Sequence, residues 1–155
     1  MTPEELHQFN SYGCVARSIL LLAQEKHIPT TMDDFCERFR SRFLIPGQFG
    51  NLFISQVGEV AGALGLGSQF LTFRRYEEID GHFNRGRRDI LAASEINLSP
   101  GATEVARHCS LLTQIDHQGF TIRTPKVDGS DDAIRFVRDE WDTKLFHGVV
   151  LYTSA

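Results

Sequence analysis

Apolar residues recur along the chain with two different periods, and the change of period divides it. From Cys14 to about Lys26, the residues Val15, Ile19, Leu22 and Ala23 fall at helical spacing. His27-Ile28-Pro29 ends that run. Thr31, followed three residues later by Asp34, reads as a helix start. Met32, Phe35, Phe39 and Phe43 then recur every three or four residues, which predicts a second amphipathic helix. Pro46-Gly47 breaks the chain. Asn51 is placed to cap a third helix carrying Phe53, Val57, Val60, Ala61 and Leu64, with Gly65 and Gly67 closing it.

Further on, the runs shorten and become strand-like. Gln69 to Phe73 reads as a short strand, and Tyr76, Ile79 and Phe83 as a short helix or turn. The span 85–88 reads as a loop, Ile90 to Ala93 as a buried strand, and Ser94 to Thr103, with Pro100-Gly101 inside it, as another loop. Arg107 to Ile115 and Phe120 to Thr124 flank Asp116-His117-Gln118-Gly119, a β-hairpin signal. Asp131 to Trp141 predicts a late helix with Ile134, Val137 and Trp141 on one face. Phe146 to Tyr152 predicts a closing strand. Helices first and strands afterwards predict an α+β domain, a helical layer packed on an antiparallel sheet. With no internal repeat, low-complexity tract or linker, the 155 residues fit one domain, 1–155.

Composition narrows the function classes. A net charge of −4 is not that of a chain built to neutralise phosphates, so no nucleic-acid partner is expected. Arg74, Arg75, Arg85, Arg87 and Arg88 form a basic cluster that reads as a solvated face or as a contact for phosphate or an acidic partner. Three cysteines, at 14, 36 and 109, is an odd number without a C-x-x-C pair. A disulfide framework is therefore not expected, and a reducing compartment is the default. The acidic, polar start Met-Thr-Pro-Glu-Glu shows no secretory signal, and the apolar run Ile19 to Ala23 is too short to span a bilayer. The expectation is a cytoplasmic protein, or one exported by a specialised machine that needs no such signal. No set of residues has metal-ligand spacing, so neither metal nor cofactor is expected.

Chemistry concentrates at Cys14. Gly13 precedes it and an apolar helical pattern follows, so the thiol sits at a helix start, where partly positive backbone N–H groups favour the thiolate. Cys36, among Phe35, Phe39 and Phe43, and Cys109, inside an apolar strand, read as core. A cysteine nucleophile needs a base within hydrogen-bond reach. Of His7, His27, His82, His108, His117 and His147, His108 is the best placed, because it opens the strand Cys109-Ser110-Leu111-Leu112. His147, also at a strand start, is its rival.

These residues resemble papain-like cysteine peptidases, closest to the compact bacterial kind that trims double-glycine leader peptides (the C39-like type). Gln8 lies six residues before Cys14, the spacing of that family's oxyanion-hole Gln and nucleophile. Ala16 follows two residues after the Cys, as is common there. His108 begins a strand, turn and strand that ends at Thr124-Pro125, and the family has such a hairpin. The resemblance implies a papain-like fold and a cysteine peptidase-like hydrolase acting on a peptide or protein substrate. It implies Cys14 as nucleophile, His108 as base and Gln8 in the oxyanion hole. Where the family places an Asn or Asp to orient the His, this chain has Thr124, which accepts a hydrogen bond but adds no charge. Asp116 and Asp128 are nearby alternatives for that role. The family's Asp-Cys-Gly sequence is also absent. Two further readings stay open: a catalytically weak or inactive binding module, and a toxin or effector using the same site for deamidation or acyl transfer.

Overall fold

The computed structural model describes residues 1–71, 75–85, 89–94, 108–143 and 147–153. The chain opens with helix α1 (Pro3–Tyr12), which the apolar pattern did not suggest. Its signal is local. The Thr2 hydroxyl accepts from the Glu5 N–H at 3.1 Å, the Glu5 carboxylate accepts from the Thr2 N–H at 2.9 Å, and Pro3 occupies the first turn. This reciprocal cap satisfies N–H groups that the first turn leaves without partners. Helix α2 (Cys14–Glu25) follows after the single residue Gly13. Helix α3 (Met32–Phe39) is capped by Thr31, whose hydroxyl accepts from the Asp34 N–H.

Two helix predictions shift. Helix α3 stops after Phe39 and passes into a 3₁₀ turn at Arg40–Arg42, so Phe43 leaves the helical stripe. Arg40 is drawn to Glu5 of α1 at 2.5 Å, and Phe43 packs edge-on against Phe49, centroids 5.0 Å apart. These partners lie off the helical path. The third helix does not begin at Asn51, whose side-chain amide instead donates to Gln48 at 2.7 Å. It begins with a 3₁₀ turn at Ile54–Gln56 and continues as α4 (Val57–Ala63), leaving Phe53 exposed. Gly65, at φ +84°, ends α4, and the chain enters strand β1 (Leu66–Leu71) directly, so Gly67 belongs to the strand.

Helix α5 (Tyr76–Asp80) continues into a wider π turn at Gly81–Arg85, and strand β2 is Asp89–Ser94. The predicted hairpin is strands β3 (His108–Ile115) and β4 (Gly119–Pro125). Its turn is closed by Asp116, whose carboxylate accepts from the N–H groups of Gln118 and Gly119 at 2.8 and 3.0 Å. The predicted helix Asp131–Trp141 is a correction. Asp131–Val137 is strand β5, and only Asp139–Thr143 is helical, as α6. Ile134 and Phe136 point inward while Arg135 and Val137 point out, a period of two rather than 3.6. Strand β6 is His147–Thr153. The loop expected at 95–103, most of the loop at 85–88, and Arg74, Phe73, Arg107 and Phe146 lie outside the described residues.

The six strands form one antiparallel sheet in the order β1-β6-β2-β3-β4-β5. The molecule is thus α+β, with helices and an antiparallel sheet. Alternation along the strands sends side chains to two cores. Leu66, Leu91, Cys109 and Leu111 meet Phe9, Ile19, Leu22, Phe35, Val57 and Val60 of helices α1–α4. Ile90, Leu112, Ile122, Phe120 and Phe136 meet Tyr76, Ile79 and Trp141 on the opposite face. The sheet is therefore covered on both sides, not by one helical layer alone. Among the described residues no helix is long and apolar enough to cross a membrane.

Candidate active site

Gly13 makes the corner that sets the site. Its N–H donates to the Phe9 carbonyl at 2.9 Å, closing α1, and its carbonyl accepts from the Arg17 N–H at 2.8 Å, opening α2. A Cβ at this position would lie 2.5 Å from the Phe9 carbonyl oxygen, so only glycine lets the two helices meet here. The corner places Gln8 on the last turns of α1 and Cys14 on the first turn of α2.

Gln8 is held from outside the helix. Its side-chain carbonyl accepts from the Phe49 N–H at 2.9 Å, and among the described residues its amide nitrogen has no hydrogen-bond partner. The loop carrying Phe49 is seated by Gly50, at φ +89°, where a Cβ would run into the fully buried Phe9 ring at 2.2 Å. Phe9 is thus the common support of Gly13 and Gly50. The amide of Gln8 is fixed at one end and keeps two N–H donors at the other.

Helix α2 is fastened to the sheet just after Cys14. The Ser18 hydroxyl donates to the Cys109 carbonyl at 3.1 Å. Arg17, 9 % exposed, donates to the Asn10 carbonyl of α1 at 3.2 Å, and to the Lys126 and Ser130 carbonyls of the β4–β5 turn at 2.5 and 2.7 Å. Arg17 was not legible as a site residue. The one hint is a cation inside an otherwise apolar helical run, between Ala16 and Ser18-Ile19-Leu20.

On the sheet side, His108 Nε2 lies 2.6 Å from Thr124 Oγ1. Thr124 is buried, and its hydroxyl meets the His108 ring, which the Pro125 carbonyl also engages. The two aspartates considered for this role are engaged elsewhere. Asp116 closes its turn and pairs with Arg135 at 3.0 Å, and Asp128 accepts from the N–H and hydroxyl of Ser130. His117 is exposed in the hairpin turn, and His27 sits at the end of α2 at φ +56°. His147 opens β6, its backbone paired with Ala93.

The electrostatics run partly against expectation. The N–H groups of Cys109, Val15 and Cys14 and the Arg17 charge do favour the Cys14 thiolate, as a helix start should, but burial outweighs them and raises the thiol above its ordinary pKa. Cys36 and Cys109 are pushed further up, to about 12 for Cys36, chiefly by burial. Burial and the Arg17 charge bring His108 down from 6.5 to about 4, against the pull of the Pro125 carbonyl. Thiol and imidazole are therefore both neutral at neutral pH. Among the described residues no hydrogen bond joins the Cys14 sulfur to the His108 ring. A strand group that acts on the sulfur is the N–H of Cys109, the residue next to His108.

The structure thus brings the start of α2, the start of β3 and the end of β4 into one region, with the end of α1 adjoining it through Gly13. It holds a half-buried thiol, a half-buried imidazole with a hydroxyl partner, and a fixed amide donor. Among the described residues no group of three or more His, Cys, Asp or Glu side chains is placed to hold a metal ion. No protein-family model matches the chain, and no curated protein matches it.

Proposed function

We propose that the chain is a papain-like cysteine hydrolase that cleaves an amide bond of a peptide or protein through Cys14, His108, Gln8 and Thr124. The observation that carries this reading is the 2.6 Å contact between His108 Nε2 and Thr124 Oγ1. It gives the distal nitrogen of the imidazole a partner, and Nδ1 is the nitrogen we assign to the proton of the nucleophile. With Nε2–H donating to Thr124, the lone pair at Nδ1 is the basic one.

From the neutral resting pair, His108 takes the Cys14 proton as the sulfur attacks the carbonyl carbon. Gln8 and the Cys14 N–H then donate to the developing oxyanion, and the helix start favours that charge. Collapse of the tetrahedral intermediate passes the proton from His108 to the leaving amine and leaves a thioester. Water, deprotonated by His108, hydrolyses the thioester and restores the thiol. Thr124 orients the ring without a charge to stabilise the imidazolium, which favours slow turnover.

That uncharged partner, with the absence of a thiol–imidazole hydrogen bond among the described residues, supports a second reading: a weakly active or inactive module that binds peptide. The test is mass spectrometry of a diverse peptide mixture incubated with the wild-type chain and with Cys14→Ala. New peptide termini that appear only with the wild type support hydrolysis. Conversion of Gln to Glu without new termini marks the deamidating variant of the same chemistry. Identical mixtures, with Cys14→Ala retaining any peptide binding, would mark the binding module.

A further inference from the structure

We infer that Arg17 is the positioning residue of the proposed Cys14 site, clamping the first turn of α2 to the turn that follows Thr124 and setting a fixed positive charge behind the thiol. The inference rests on the reading of Cys14 as nucleophile. Cys14 lies on α2 and Thr124 near the end of β4, two elements that, among the described residues, no side chain of the site itself ties together. Arg17 does so. One guanidinium nitrogen reaches back to Asn10 of α1 and across to Lys126, and the other reaches Ser130. Lys126 stands two residues after Thr124. The turn it belongs to is closed by its own bonds, Lys126 N–H to Ser130 carbonyl at 2.8 Å and Gly129 N–H to Lys126 carbonyl at 3.1 Å. It is pressed against α1, where a Cβ on Gly129 would come within 3.2 Å of the Asn10 amide. The clamp therefore joins α1, which carries Gln8, α2, which carries Cys14, and the strand end that carries Thr124.

A neutral amide could bond to carbonyls too, so the charge calls for its own explanation. Burying a cation is costly without an anionic partner. Among the described residues no carboxylate forms an ion pair with Arg17. The groups acting on it through space are Asp131, Cys14 and Asp128, and Cys14 is three residues away on the same helix. The groups acting on Cys14 are the N–H of Cys109 from β3 and, from its own helix, the N–H groups of Val15 and Cys14 and the charge of Arg17. A thiolate forming at Cys14 supplies the negative charge that the buried guanidinium otherwise meets only at a distance, from Asp131 and Asp128.

The test is the pH dependence of Cys14 alkylation by iodoacetamide in wild type, Arg17→Met, Arg17→Lys and His108→Ala, with circular dichroism as the check on folding. Arg17→Met is expected to move the alkylation midpoint up by about one pH unit and to slow labelling near neutral pH roughly tenfold. Arg17→Lys keeps the charge but not the fork, so it should hold the midpoint near that of wild type. Acylation of Cys14 by a peptide ester should still be slowed by about tenfold in that variant. A folded Arg17→Met chain with the wild-type midpoint and rate overturns the inference. Should Arg17→Met not fold, Arg17→Lys decides, and wild-type acylation in that variant overturns it. His108→Ala separates this from the functional reading. If it leaves acylation by the peptide ester unchanged, the proposed base fails while the Arg17 midpoints remain readable.

Discussion

His108 gives one ring nitrogen to Thr124 and is held close to neutral by burial, and both facts have consequences at the level of single residues. Thr124→Val removes the 2.6 Å partner while keeping the shape. Steady-state kinetics of peptide turnover should show a fall in kcat/KM of about tenfold, the equivalent of one hydrogen bond of about 1.4 kcal/mol. Thr124→Asn is expected to keep activity at or above that of wild type. Gln8→Ala should lower kcat by about 10²–10³ if its amide serves the oxyanion, with the fold intact by circular dichroism. The sign of the pH effect on stability follows from the lowered His108. The unfolded chain takes up a proton as pH falls below 6.5, and the folded chain does so only near 4. Stability therefore declines from 6.5 towards about 4, and His108→Gln should flatten that decline in denaturant melts taken across the same range.

The elements that hold these residues depend on two glycines and one phenylalanine, and here the sequence was legible only in part. Local signals were strong for α2, for the Thr31 cap of α3 and for the β3–β4 hairpin, because each carries its own period or turn chemistry. They misled at Asp131–Val137, where Ile134, Val137 and Trp141 mimic a helical face although the inward pair is the half-buried Ile134 and the buried Phe136. The strand there is specified by pairing with β4, a partner distant in the pattern. Helix α1 was announced by its Thr2–Glu5 cap rather than by apolar spacing. For the site, Cys14, Gln8 and His108 stood out through their spacing and their neighbours. Arg17 did not, since its partners are backbone carbonyls that no sequence pattern encodes. The corner itself yields a prediction. Gly13→Ala forces the helices apart, and Gly50→Ala adds a left-handed φ to a clash with Phe9. Each should destabilise the chain by about 1–3 kcal/mol in chemical denaturation, with Gly50→Ala also weakening whatever depends on the Phe49–Gln8 bond.

At the scale of the molecule, a sheet buried on both faces supports the proposed site, where the α1–α2 corner meets the β3–β4 strands. Cys36 and Cys109 are each 1 % exposed and lie inside the core, so in the native chain an alkylating agent should reach Cys14 first. Peptide mapping after brief treatment, with and without denaturant, checks that order. The central claim is that His108 acts as base for Cys14. It is tested most directly by the rate at which a peptide ester acylates Cys14, followed by mass spectrometry across pH in wild type and His108→Ala. The wild type should lose rate only along an acid limb near the His108 value of about 4. His108→Ala should be slower by about 10²–10⁴ and lack that limb. Equal rates and the same pH profile in the two proteins would contradict the account.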